Sequence, residues 1–197
     1  MLGAGAATRF GGDKLAALLA GRPVVDHVLD ALEAVPLAEI VLVTRAGGFR
    51  TTEPRAGLTV VVNRSPARGI SSSLQVGLDA AEALSGDPVD GILVALGDQP
   101  LLDPATVRAL IGAASPGGPP VLVPRREPGG PRNPVLVLRS AFGLVRAARG
   151  DRGLGPLLDA APDLVTVIDA ASTAGADVDT PADLARIEAD LRQRPGR

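Results

Sequence analysis

The sequence predicts an α/β chain, a three-layer α/β/α sandwich built on a mostly parallel sheet. Two observations carry this. Short runs rich in Val, Ile and Leu are apolar almost without interruption, as strands covered on both faces must be. They alternate with stretches of helical periodicity, and the connections between them are brief.

Taken in order, the strand candidates are Glu39 to Thr44, Leu58 to Asn63, Gly91 to Asp98, Pro120 to Pro124, Pro134 to Leu138 and Leu164 to Asp169. Helices are expected over Pro23 to Ala34, Ser72 to Leu84, Pro104 to Ala114, Ser140 to Ala148, Gly153 to Ala161 and Pro181 to Arg192. Two helix starts are marked by their caps. Asp103 precedes Pro104, and Thr180 precedes Pro181 with Asp183 three residues after the cap. The segments "SPGGPP" from Ser115 and "REPGGPRNP" from Arg126 read as loops. No repeat or linker divides the chain, so all 197 residues are expected to form one domain. A strand should lead into the first glycine-rich loop, yet only Met1 and Leu2 precede Gly3, so that strand is expected to be truncated.

Composition removes several classes of function. There are no cysteines, so disulfides and thiolate metal sites are excluded and a reducing cytoplasm fits. Twenty Lys and Arg stand against 22 Asp and Glu, with three Phe and no Trp or Tyr. Nucleic acid would find neither a basic footprint nor a stacking platform. No apolar run approaches the ~18 residues of a membrane span, and no basic-then-apolar leader opens the chain.

Four stretches carry chemistry. In "GAGAATRFGGDK", glycines that let backbone N–H groups approach an anion lie beside the cations Arg9 and Lys14, with a helix expected to follow. A Walker A loop is excluded because the Gly-Lys-Ser/Thr ending is missing, and the dinucleotide fingerprint lacks its third glycine, Thr8 standing there. "GDQP" puts Asp98 and Gln99 at the carboxyl end of a strand, where open α/β sheets bind ligands and where a carboxylate suits Mg²⁺. In "DVDTPADL", helix capping accounts for Asp183 but not for Asp177 and Asp179, which are candidate further metal ligands. "GISSSLQ" sets three serines at a helix entry, Ser71 or Ser72 as a cap and Ser73 facing a ligand. Asn133 and Asp151 are polar loop residues near element ends, and His27, lacking ligating company, reads as structural.

These four stretches, in their order along the chain with the serine stretch second, resemble the MobA-like nucleotidyltransferases, and most closely the molybdenum cofactor cytidylyltransferases. The resemblance implies a Rossmann-like nucleotide-diphospho-sugar transferase fold and a cytoplasmic enzyme that transfers CMP from CTP to the terminal phosphate of molybdenum-bearing molybdopterin. It implies that Leu2, Gly3, Ala4, Gly5 and Ser73 hold the nucleotide, Arg9 and Lys14 clamp its phosphates, and Asp98 with Asp179 carries Mg²⁺. Gln99, Asn133 and Asp151 would face the acceptor, and a molybdenum hydroxylase would be a downstream partner. GTP or another phosphorylated acceptor is an alternative, as is a nicotinamide-dependent oxidoreductase on the same fold. A third is a non-catalytic cofactor carrier.

Overall fold

A computed structural model describes residues 1–5, 9–49, 54–125, 132–170 and 177–193. The chain runs through β1 (Leu2–Gly3), a small hairpin β2 (Leu18–Leu19) and β3 (Arg22–Pro23), α1 (Val24–Glu33), β4 (Ile40–Arg45), β5 (Leu58–Asn63) and α2 (Ile70–Leu84). It continues through β6 (Gly91–Val94), α3 (Pro104–Ala113), β7 (Val121–Pro124), β8 (Val135–Leu138), α4 (Phe142–Ala147), α5 (Gly155–Ala160), β9 (Val165–Ile168) and α6 (Pro181–Gln193).

β1, β4 and β5 pair in parallel, in the order β1-β4-β5. A second group has the order β6-β8-β7-β9, and within it β8 runs antiparallel to both β6 and β7. A parallel bridge from Leu2 to Leu96 joins the two groups. The sheet is therefore mostly parallel with one reversed strand. An apolar run such as "PVLVL" reports burial on two faces and carries no information on direction.

Side chains alternate across this sheet and build a core on each face. Val121, Val123, Val135 and Val137 pack with Leu74, Leu78, Phe142, Val145 and Leu158 of the α2, α4 and α5 layer. The intervening Leu122 and Leu136 pack with Leu110 of α3. Helix α1 buries Val25, Val28, Leu29 and Leu32 against Ile40 and Leu42, at the spacing of one helical face. His27 is structural as expected, its Nε2 lying 2.9 Å from the Leu19 carbonyl oxygen.

The expected first strand exists but is two residues long. It is nonetheless paired on both sides: the Val43 N–H donates to the Met1 carbonyl at 3.0 Å, the Leu2 N–H to Ala95 at 2.8 Å, and the Gly97 N–H to Leu2 at 2.8 Å. The Met1 ammonium is buried and donates to the Val41 carbonyl at 2.7 Å. Burial lowers its pKa from 8.0 to about 5. For a polypeptide whose first residue is Met1 the sign follows: the charged form is disfavoured in the fold, so stability is full above pH 8 and is lost as pH falls through about 5. Three pH units correspond to ~4 kcal/mol at most. Urea denaturation between pH 8 and pH 5 should show this decline, and one added residue, whose amide keeps the hydrogen bond without the charge, should flatten it.

Candidate active site

The site lies at the carboxyl ends of the central strands. Beyond β6 the chain reaches Asp98, whose backbone carbonyl accepts from the Val178 N–H at 2.9 Å, and this bond draws residues 177–179 alongside. The segment is held from the other side by a capping box at the start of α6. Thr180 N–H donates to Asp183 Oδ2 at 2.9 Å, while Asp183 N–H donates to Thr180 Oγ1 at 3.2 Å. Asp98 and Asp179 thereby converge on one ammonium. Lys14 Nζ lies 2.5 Å from Asp98 Oδ2 and 2.9 Å from Asp179 Oδ1. Arg9 joins from the surface, 3.5 Å from Asp179 Oδ2.

The environment tunes these charges. Burial works against the Lys14 ammonium, but the attraction of Asp98 and hydrogen bonds to both carboxylates prevail, and its pKa rises. Asp177 moves up as well, first because it is desolvated and further because Asp98 and Asp179 are near. The Gln99 amide opposes that shift by donating to Asp177 Oδ1 at 2.7 Å. Asp98 Oδ1 is buried and has no hydrogen-bond partner among the described residues. A buried carboxylate oxygen left unmatched costs free energy, and a hard cation satisfies it. The oxygen donors of Asp98 and Asp179 fit such an ion. No three His, Cys, Asp or Glu among the described residues form a cage by themselves, so water or ligand oxygens must complete the shell.

The glycine loop departs from expectation in its backing. No helix follows it directly: residues 14–16 form turns, the β2–β3 hairpin comes next, and α1 begins only at Val24. Positive charge at the loop therefore comes from Lys14 and Arg9 and not from a helix terminus. Gly3 is held tightly, since a Cβ there would lie 2.7 Å from Leu15 Cδ1. Ala4 is buried and Gly5 exposed; residues 6–8 of this loop lie outside the described residues.

The serine cluster also differs. α2 starts at Ile70, and its cap is Gly69, not Ser71 or Ser72. Ser72 Oγ donates back to the Gly69 carbonyl at 2.8 Å. Ser73 is buried and accepts from Asn63 Nδ2 at 3.0 Å. Asn63 was not among the expected site residues, although its place as the polar end of the apolar strand "LTVVVN" is a usable signal. Its amide also donates to Ser72 Oγ at 2.8 Å, and its Oδ1 accepts from the Ser65 N–H at 2.8 Å.

Beside this cluster is a cavity of about 270 Å³. Its floor is apolar, with Leu2, Leu74, Val94 and Leu96, and its rim carries Arg132, Asn133 and Arg152. Leu2 and Leu96 lead directly into Gly3 and Asp98, so the cavity and the carboxylates flank the same strand ends. Of the three residues expected at an acceptor, Asn133 lines the cavity, Gln99 is turned toward Asp177, and Asp151 packs against Gly69. Most of the loop "REPGGPRNP", residues 126–131, lies outside the described residues.

The mostly parallel sandwich thus carries a glycine loop, two carboxylates and a lysine together at its strand ends. The chain belongs to the MobA-like NTP transferase family, whose domain matches residues 1–166. It is 36% identical over 126 residues to the bifunctional protein GlmU of Leifsonia xyli, covering 60% of this chain and 25% of that one. It is 33% identical over 133 residues to a probable molybdenum cofactor guanylyltransferase of Thermococcus gammatolerans, covering 66% of this chain and 62% of that one. The chain thus spans about a quarter of the length of the GlmU relatives it matches. Among solved structures it resembles Rv0371c from Mycobacterium tuberculosis with a TM-score of 0.79 at 28% identity, covering 95% of each chain. Among the described residues no helix is long and apolar enough to cross a membrane.

Proposed function

We propose that this chain transfers CMP from CTP to the terminal phosphate of molybdenum-bearing molybdopterin, in the presence of Mg²⁺, and releases pyrophosphate. The observation that carries the reading is the convergence of Asp98, Asp179 and Lys14 beside the glycine loop, with Asp98 Oδ1 buried and unmatched. Support also comes from the molybdenum cofactor relative and from a manganese complex of Rv0371c, which this chain resembles at 26% identity with a TM-score of 0.73.

In this reading an oxygen of the acceptor phosphate attacks the α-phosphorus, and the bond to the bridging oxygen breaks as pyrophosphate leaves. The attacking oxygen is already anionic, so the protein needs no base. Its task is to align two polyanions and neutralise charge on the leaving group. Leu2, Gly3, Ala4 and Gly5 present backbone to the nucleotide, and Ser73 supports its base and ribose. Arg9 and Lys14 draw in the phosphates. Asp98 and Asp179 hold the divalent ion, which when bound supplies charge stabilisation at the transferring phosphate. The cavity rimmed by Asn133, Arg132 and Arg152 receives the acceptor, while Gln99 holds Asp177 by a hydrogen bond and Asp151 packs beside Gly69 ahead of α2. A single-domain cytoplasmic enzyme serving a molybdenum hydroxylase completes the proposal.

GTP is the second reading of the base, favoured by the guanylyltransferase relative. A thermal-shift series with CTP, GTP, ATP and UTP, each with Mg²⁺, separates the two. A ligand at 100 times its Kd adds ~2.7 kcal/mol of apparent stability, so the cognate nucleotide should raise Tm by several degrees. Pyrophosphate release on adding purified acceptor completes the test. Stabilisation by NADPH alone, with none by any triphosphate, would overturn the reading.

A further inference from the structure

The group that occupies the space between the two proposed metal ligands is itself a cation. Lys14 Nζ touches Asp98 Oδ2 at 2.5 Å and Asp179 Oδ1 at 2.9 Å, and its side chain is only 13% exposed. Arg9 engages the other oxygen of Asp179. Asp98 and Asp179 thus both face the Lys14 ammonium, and Asp179 faces the Arg9 guanidinium as well. A free divalent ion approaching the buried, unmatched Asp98 Oδ1 would meet the Lys14 ammonium at short range in a partly dehydrated setting, where repulsion is weakly screened.

A nucleoside triphosphate changes this balance. It brings about four negative charges at neutral pH, and phosphate oxygens are acceptors that a lysine on a flexible four-carbon stem can reach. As Lys14 turns to them, Asp98 Oδ2 and Asp179 Oδ1 are released together. We propose that Lys14 is a built-in competitor for the metal position, so that the divalent ion is taken up as its nucleotide complex and not alone. This rests on the nucleotidyltransfer reading above and specifies which species its site accepts. The same residue then serves in succession as a counter-ion for the carboxylates and as a phosphate clamp.

Titrating Mn²⁺ against the full chain, with free ion followed by electron paramagnetic resonance, tests the idea without any turnover. Lys14→Met keeps the stem and removes the charge. Without nucleotide it should bind Mn²⁺ about tenfold tighter than wild type or better, because the competing cation is gone. In wild type CTP should tighten Mn²⁺ binding at least about tenfold, and by linkage Mn²⁺ must tighten CTP by the same factor. In Lys14→Met most of that mutual enhancement should vanish. A folded Lys14→Met variant that binds Mn²⁺ no tighter than wild type overturns the proposal. If the variant does not fold, wild type still decides, since CTP affinity that is indifferent to Mn²⁺ also overturns it. The two readings fail separately. Pyrophosphate release without any tightening in Lys14→Met removes only the competitor, whereas tighter Mn²⁺ binding in a protein that takes no triphosphate removes only the transferase assignment.

Discussion

Asp98→Asn should reduce metal-dependent pyrophosphate release by about 10²–10³-fold while leaving the fold intact. The substitution preserves shape and size, so the Val178 hydrogen bond to the residue 98 carbonyl and the packing of residues 177–179 are unaffected. What it removes is one negative charge, 2.5 Å from Lys14 and carrying the unmatched buried oxygen. Losing one preorganised electrostatic contact at a reacting centre costs on the order of 2.7–4 kcal/mol of barrier, which is the source of the factor. Asp179→Asn should cost less, because that carboxylate is 45% exposed and water screens it. Steady-state pyrophosphate release, with circular dichroism to confirm folding, provides the check. Asp98→Asn activity within threefold of wild type would remove Asp98 from the chemistry.

Gly69→Ala should be the most destabilising small change near the site. Gly69 has φ +89° and ψ 178°, a conformation that is essentially reserved for glycine. A Cβ there would lie 2.4 Å from the Gly150 carbonyl carbon, 2.5 Å from its oxygen and 2.6 Å from Asp151 Oδ1. Two of these three atoms are backbone and cannot simply rotate away. Strain of roughly 1–3 kcal/mol adds to the cost of parting the loop at Gly150 from the start of α2. A total of about 3 kcal/mol or more corresponds to a fall in Tm of roughly 6–12 °C at this chain length. The damage also reaches function, because Ile70 and Leu74 at the start of α2 line the cavity proposed for the acceptor. Gly143→Ala is the matching control: that glycine lies inside α4 with open space around it, and alanine there is tolerated. A Gly69→Ala protein melting within 2 °C of wild type would contradict the packing described here.

These contrasts show what a linear sequence discloses. Asp98, after a strand, and Asp179, before a helix, stood out because turn chemistry and helix capping leave each incompletely explained, and the structure brings both to Lys14. Most strands and helices were legible within two residues because burial on both sheet faces leaves unbroken apolar runs. The direction of β8 was not, since the pattern of a buried strand is the same run forward or backward. Nor was the β2–β3 hairpin, whose turn places Ala20 at φ +50° before Gly21 at φ +81°, where an Asn or Asp would have announced a left-handed turn. The strand expected over Gly91 to Asp98 ends at Val94, because the following residues leave β8 and turn to bond Leu2. Contacts distant in sequence were the least accessible. Lys14 and Asp179 are 165 residues apart, and nothing in either motif states that they touch.

Anomalous diffraction from crystals grown with Mn²⁺ and CTP would bear most directly on the account. A manganese peak is expected within coordination distance of Asp98 Oδ1 and beside the nucleotide phosphates, with the glycine loop at the nucleotide and Lys14 moved from the carboxylates onto phosphate. Manganese or nucleotide bound elsewhere, with Lys14 still bridging Asp98 and Asp179, would contradict it.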